Sequence, residues 1–274
     1  MADPFQRYRG LEIAADAPRP HERAEVPYHL VGDLDPGEGS TAGEFSQRAH
    51  AAIDDILRRG GVPIVTGGTG LYLRAALSEL EFPPPVPPEI RRHVEEMVAH
   101  DPSAARDRLA ALDPPAAARV DARNPRRLVR ALELAESGAP VGRDTGALWL
   151  ADARHSTRVV AVARPREVLH RRIADRVRRE MDEGLVAEIE ALLDRPAGLS
   201  REAGQIIGVR EVQAMRRGEL TMDGLQNAVT ARTRRLARKQ MTWLRKMPQI
   251  AWIDLGDGDS AQAVDRVLGE RGAT

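Results

Sequence analysis

Residues 81–89 read EFPPPVPPE. Five prolines in nine positions remove five backbone donors and fix five φ angles, so neither a helix interior nor a central strand can run through this stretch. The chain must be organised on either side of it. With 274 residues and 42% apolar content, there is enough material for one large domain carrying an insertion.

Before the break, EFSQRAHAAIDDILRRGG (44–61) has helical spacing, with Ala51, Ile53, Ile56 and Leu57 on one side and a glycine stop. VPIVT (62–66) reads as a short buried strand, and GGTGLYLRAAL (67–77) as a glycine turn opening a second helix. Helix, strand, glycine turn, helix is the order of a parallel α/β sheet. From 88 to 138 every segment reads as a short helix: PEIRRHVEEMVAH, SAARDRLAAL, PAAARV and NPRRLVRALELAESG. After a linker at 146–156, RVVAVA (158–163) returns to a buried strand. REVLHRRIADRVRREMDEG (166–184) is a helix with Leu169, Ile173, Val177 and Met181 in one stripe and Gly184 at its end. Helices over 185–193, 209–218 and 222–246 and a strand at 250–255 complete the pattern. We expect an α/β core made of 1–82 and 151–274, with an all-helical insertion at 83–150.

Several classes are excluded. There is no cysteine, hence no disulfide framework and no Cys-based zinc site, and the seven histidines show no ligand spacing. No apolar run resembles a signal peptide or a membrane span, so the expected setting is the cytoplasm, with no membrane partner. Formal net charge is zero, from 41 basic and 41 acidic residues. Contact with a polyanion would therefore depend on patches and not on total charge.

Three stretches and two single residues could carry chemistry. GGTGLY (67–72) is a tight strand-to-helix turn or an anion cradle, but it is no Walker A loop, because the only lysines are Lys239 and Lys246. NPRRLVRALE groups Arg126, Arg127 and Arg130 on one helix face, either solvated or contacting phosphate. ARTRRLARKQMTWLRK (231–246) holds seven basic residues and no acid. It can contact nucleic acid or pyrophosphate, or snorkel over a core of Leu236, Met241 and Leu244. Arg176 borders its helix's apolar stripe, a place for an ion pair with the fold or for an anionic ligand. Asp3, beside Gln6 and Tyr8, is a general base with helpers or a solvated carboxylate.

Taken together these stretches resemble one family, the tRNA dimethylallyltransferases, also called tRNA isopentenyltransferases. DPFQRYRGLEI (3–13) is similar to the family's D-S-x-Q-x-Y-R-G-x-D-I, and PYHLVGDLDP (27–36) to its P-H-x-L-x-D-x-x-D-P. GGTGLY has the family's own form. Matches to R-L-x-R-A-L-E at 127–133, I-x-x-R-V at 173–177, I-G-x-R at 207–210 and K/R-K/R-Q-x-T-W-L-R at 238–245 follow in order.

The resemblance implies transfer of a dimethylallyl group from its diphosphate to N6 of the adenine adjacent to the anticodon, in tRNAs reading codons that start with U. It implies that Asp3 is the general base, that Thr69 lies in the reaction channel and that Arg176 holds the diphosphate. Gln6 and Tyr8, in the same motif as Asp3, are implied on the substrate side. So are Arg91, the 126–130 arginines, Gln205, Gly208, Arg210, Arg238, Lys239 and Gln240. Mg²⁺ is the implied cofactor, and the tRNA anticodon stem-loop and dimethylallyl diphosphate are the partners of an expected monomer. The implied fold is a P-loop NTPase-like parallel sheet flanked by helices. The family's G-P-T-x-x-G-K-[ST] loop and its strand, some 25 residues before the base, have no counterpart here. Pro4, Arg7 and Val209 replace the family's serine, apolar residue and aromatic. The 274 residues are accordingly expected to bind tRNA better than they catalyse, with a misplaced start or a decayed copy as the cause. An inactive tRNA-binding remnant is the alternative function; a nucleotide kinase-like phosphotransferase is a third class, disfavoured by the absent loop lysine.

Overall fold

The computed structural model describes residues 1–83, 85–121, 124–141, 152–247 and 250–258, with Val264 and Val267. The chain forms two compact units, Met1–Leu80 with Leu148–Thr274, and Glu81–Ala147. Most of the 146–156 linker lies outside the described residues.

The first unit is mixed α/β. Its helices before the proline run are α1 (Pro20–Glu25), α2 (Ala42–Arg58) and α3 (Gly70–Leu77). α2 starts where the Thr41 hydroxyl accepts the Glu44 amide, and it buries Phe45, Ser46, Ala49 and Ile53. Of the four apolar residues expected on one side only Ile53 is fully buried, while Ala51 and Leu57 are exposed, so the packed face is turned toward Phe45. After the second unit, β1 (Val160–Ala163) pairs in parallel with β2 (Ala251–Asp254), Val160 opposite Ala251 and Ala163 opposite Asp254.

Between these strands run α8 (Arg166–Asp182), α9 (Leu185–Leu193), a 3₁₀ turn (Ala203–Gln205), α10 (Val209–Arg216) and α11 (Met222–Leu244). Gly184 joins α8 to α9 at φ +103°, a left-handed conformation that β-carbon sterics make expensive for other residues. Ile173 and Val177 of α8, Leu185 and Ile189 of α9, Val212 of α10 and Leu225 and Val229 of α11 meet Tyr8, Leu11 and Leu34 in one core. α11 buries Leu225, Val229 and Thr233, whereas Leu236 is 36% exposed. The core under this helix therefore lies toward its N-terminal half and not under 236–244, where one of the two readings of the basic stretch required it.

The expected strand at 62–66 does not form. Val62 and Ile64 are 66% and 80% exposed, and among the described residues the segment's one backbone bond to a distant part of the chain runs from the Ala2 amide to the Thr66 carbonyl (2.6 Å). A strand exists only when a neighbour supplies its ladder, and no described strand pairs with this apolar run.

The second unit is all helical: α4 (Pro88–His100), α5 (Pro102–Leu112), α6 (Pro114–Arg119) and α7 (Pro125–Glu136). Each starts with proline at its first position, where a missing amide costs nothing. Asp101, Asp113 and Asn124 cap the last three through side-chain oxygens. Val94, Val98, Leu109, Leu128 and Leu132 form its own core. No helix among the described residues is long and apolar enough to cross a membrane.

Candidate active site

Residues 2–9 run beside 32–34, with Gly32 N donating to Gln6 O (2.9 Å), Leu34 N to Arg7 O (2.9 Å) and Arg9 N to Leu34 O (3.0 Å). Arg7 fixes this ribbon. Its guanidinium is fully buried and donates to Asp33, Glu44 and the Ser40 hydroxyl at 2.8–3.3 Å. Burying a guanidinium without partners would cost several kcal/mol, roughly the penalty of an isolated buried ion; here two carboxylates answer it. The Arg7 substitution is thus compensated from Asp33, one of the acids of the 27–36 motif. The other, Asp35, binds Arg195 at 2.7 and 3.1 Å.

At the head of this ribbon, Asp3 Oδ1 accepts the Phe5 amide at 2.9 Å, a turn typical of aspartate. Burial pushes the Asp3 carboxyl above the ordinary carboxylate range, against the amides of Phe5 and Gln6 that pull it down. Such a carboxylate accepts a proton more readily than a solvated one.

Ala2 bonds to Thr66 and places Asp3 next to the glycine turn. A β-carbon at Gly67 would run into the Ala2 carbonyl, one at Gly68 into the Gln240 amide, and one at Gly70 into the Trp243 ring. The turn is therefore glycine-rich because three surfaces close on it: the 2–3 backbone and two side chains from the last turns of α11. Thr69 sits between them as N-cap of α3 in extended conformation (φ −93°, ψ 102°), with no side-chain capping bond. The structure thus brings the backbone next to Asp3, the turn that holds Thr69, and Gln240 to one place, and adds Trp243, which the 238–245 motif contains but to which no role was given.

Arg176 occupies a neighbouring cluster. Its NH1 donates to Asp16 Oδ2 (2.6 Å), and its Nε lies 3.1 Å from Glu180 Oε1 in an ion pair without a well-aligned hydrogen bond. Of the two roles the residue left open, the structure has it paired with the fold. The Gln6 amide donates to the Asp16 carbonyl (2.8 Å), which links the Asp3 motif to this arginine. Tyr8 is 1% exposed, packed in the core, with its hydroxyl donating to the Glu38 carbonyl (3.3 Å). Gly208, at φ +108°, faces Ile189, so a side chain there meets the core, and its amide donates to Glu211. Gln205 donates to the Arg201 carbonyl while its own carbonyl accepts Arg232. Arg210, Arg238 and Lys239 are exposed.

In the helical unit, Arg126 and Arg127 are exposed on α7. Arg130 NH1 donates to Glu133 Oε2 (3.2 Å), and Arg91 Nε of α4 lies 3.4 Å from Glu133 Oε1. Two of the expected arginines thus meet on one acid that periodicity had left as an unremarked helix residue.

Among the described residues no three histidine or acidic side chains converge as a metal site.

Fold and site together define an α/β protein with a helical insertion, a closed glycine turn beside a buried-side carboxylate, and arginine-rich helix faces suited to an anionic partner. The sequence pattern of the family described as IPP transferase matches residues 6–247. A tRNA dimethylallyltransferase of Anaeromyxobacter dehalogenans is 43% identical over 253 residues, covering 92% of this chain and 84% of that protein. One from Salinispora tropica is 41% identical, covering 96% and 82%. The crystal structure of a full-length tRNA isopentenylpyrophosphate transferase from Bacillus halodurans superposes with a TM-score of 0.69 at 29% identity, covering 97% of this chain and 84% of that one. A eukaryotic dimethylallyltransferase structure shares the fold, with a TM-score of 0.74 at 23% identity, covering 98% and 69%. The chain belongs to the IPP transferase family.

Proposed function

We propose that the protein transfers the dimethylallyl group of dimethylallyl diphosphate to N6 of the adenine adjacent to the anticodon, in tRNAs reading codons that start with U. The reading is supported by family membership and by relatives named tRNA dimethylallyltransferase that match over nine-tenths of the chain. The same relatives weigh against the inactive-remnant alternative. The observation that carries the chemistry is Asp3, its carboxyl raised by burial, beside the turn that Gln240 and Trp243 close.

In the reaction, adenine N6 forms a bond to the allylic carbon as that carbon's bond to the diphosphate oxygen breaks. Asp3 accepts the N6 proton, and the diphosphate leaves with the electron pair. The adenine must leave its stack for N6 to reach Asp3. Thr69, uncommitted as a cap, hydrogen-bonds the reacting groups, and Arg176 answers charge on the departing diphosphate by exchanging Asp16 for it. Mg²⁺ bound with the diphosphate would add charge neutralisation to these contacts. Arg91, Arg126, Arg127, Arg130, Arg210, Arg238 and Lys239 contact tRNA phosphates, while Gln6, Tyr8, Gln205 and Gly208 hold the backbone that presents the site. The first unit is a variant of the P-loop NTPase-like sheet.

Asp3→Asn tests the assignment. Turnover with dimethylallyl diphosphate and tRNA should fall about 10²–10⁴-fold, the usual range for a general base, with tRNA affinity unchanged. Turnover near that of the unaltered protein would show that Asp3 is not the base.

A further inference from the structure

The segment RLVRALE ends in Glu133, to which the proposed reaction assigns nothing. Its side chain is 4% exposed, on a helix whose outer face carries Arg126, Arg127 and Arg130. A carboxylate this buried needs partners. It has two, from different helices: Arg130 NH1 of α7 on Oε2 at 3.2 Å and Arg91 Nε of α4 beside Oε1 at 3.4 Å. Both arginine side chains remain about two-fifths exposed, at 38% and 41%, so neither is used up by the buried acid. Arg91 Nε is itself buried and makes no well-aligned hydrogen bond, so the ion pair alone holds its inner edge.

We infer that Glu133 is a positioning residue for tRNA binding: a buried carboxylate that aligns Arg91 and Arg130 as a paired grip for a backbone phosphate. One negative charge between two positive ones leaves the pair net positive, and therefore still attractive to phosphate. The carboxylate also removes the repulsion that would drive two neighbouring guanidinium groups apart, and it restricts two long side chains before the ligand arrives. The inference rests on the tRNA-binding reading of these arginines.

Glu133→Gln separates alignment from charge, because the two predict opposite signs. The substitution makes the surface more positive by one charge. If Glu133 only neutralises, tRNA binds more tightly; if it positions, tRNA binds more weakly despite the added charge. We expect the Kd for an unmodified anticodon stem-loop to rise about tenfold and the salt dependence to become shallower by about one phosphate contact. Turnover at saturating tRNA should be unchanged. In an Arg91→Ala, Arg130→Ala background the Gln substitution should have no further effect, since Glu133 acts only through these two side chains. Equal or tighter binding by Glu133→Gln, with the arginine variants weakened, would overturn the positioning role and leave the tRNA reading intact. Arginine variants that bind as well as the unaltered chain would overturn both. Should the Gln variant fail to fold, Glu133→Asp, which withdraws the charge by one methylene, is expected to weaken binding to an intermediate degree; unchanged binding would sink the inference equally.

Discussion

Glu180 shows what burial does to a single side chain of this molecule. It is on α8, buried, with Arg176 as its ion-pair partner and Asp16 and Glu183 as neighbours. Burial first, and then the like charges of Asp16 and Glu183, push its carboxyl from the ordinary 4.5 up to about 7, against the pull of Arg176. The folded chain therefore holds this proton over a range in which the unfolded chain has lost it. Stability linked to Glu180 is present below the unfolded value and is lost as pH rises through the folded one. Glu180→Gln, which cannot ionise, should raise the Tm by about 2–4 °C at pH 8, taking about 1 kcal/mol for a chain of this size, and change it little near pH 4. Melting curves at both pH values check this; an equal shift at both would mean that packing, and not ionisation, sets the effect. Asp3 follows the same rule: its carboxyl is raised by burial. The rate it supports as a base should fall as pH drops through that raised value, and a pH–rate profile of kcat/KM reads it directly.

Among the elements, the α3 turn is defined by what it lacks. Gly68 and Gly70 leave room for Gln240 and Trp243 of α11, which lie some 170 residues further along the chain. Gly70→Ala should destabilise the protein by about 1–3 kcal/mol, the range for overpacking a close contact. The added Trp243→Leu should recover part of that loss, because the smaller side chain frees the space; a double variant no more stable than the single one in urea unfolding would show that the ring is not the obstacle. The helices themselves were legible from local pattern. The stretch 88–100 begins and ends with its helix, and Gly184 stops α8 where a left-handed residue is needed, because caps and apolar spacing are short-range information. What could not be read was pairing. VPIVT is strand-like in composition, yet whether a strand forms depends on a neighbour that five residues cannot specify. The partners of Arg7, Arg91 and Arg176, namely Asp33, Glu133 and Asp16, are likewise acids that sequence spacing leaves indistinguishable from solvated ones.

For the whole molecule, a formal charge of zero means that tRNA attraction must come from how charge is distributed. The seven basic residues of 231–246 divide accordingly. Arg232 is turned to Glu211 at 2.8–2.9 Å and Arg234 to the His170 carbonyl, while Arg235, Arg238, Lys239, Arg245 and Lys246 are exposed. Replacing Arg126, Arg127 and Arg130 together by alanine should weaken tRNA binding and lower its salt slope by about two to three, one per lost phosphate contact; an unaltered slope would remove these arginines from the interface. The division into two units could be read from the proline run, and the family motifs named Asp3, Thr69 and Gln240, whereas the packing of Ala2, Gln240 and Trp243 on the 67–70 turn is long-range information that local pattern does not carry. Outside that site, the bare segment of Val62 and Ile64 has a bearing on handling. Exposed apolar side chains on unladdered backbone are adhesive between molecules, so concentrated stocks should scatter more light with time, faster in sulfate and slower in dilute urea. Val62→Lys with Ile64→Lys should lengthen the shelf life of such stocks without changing turnover.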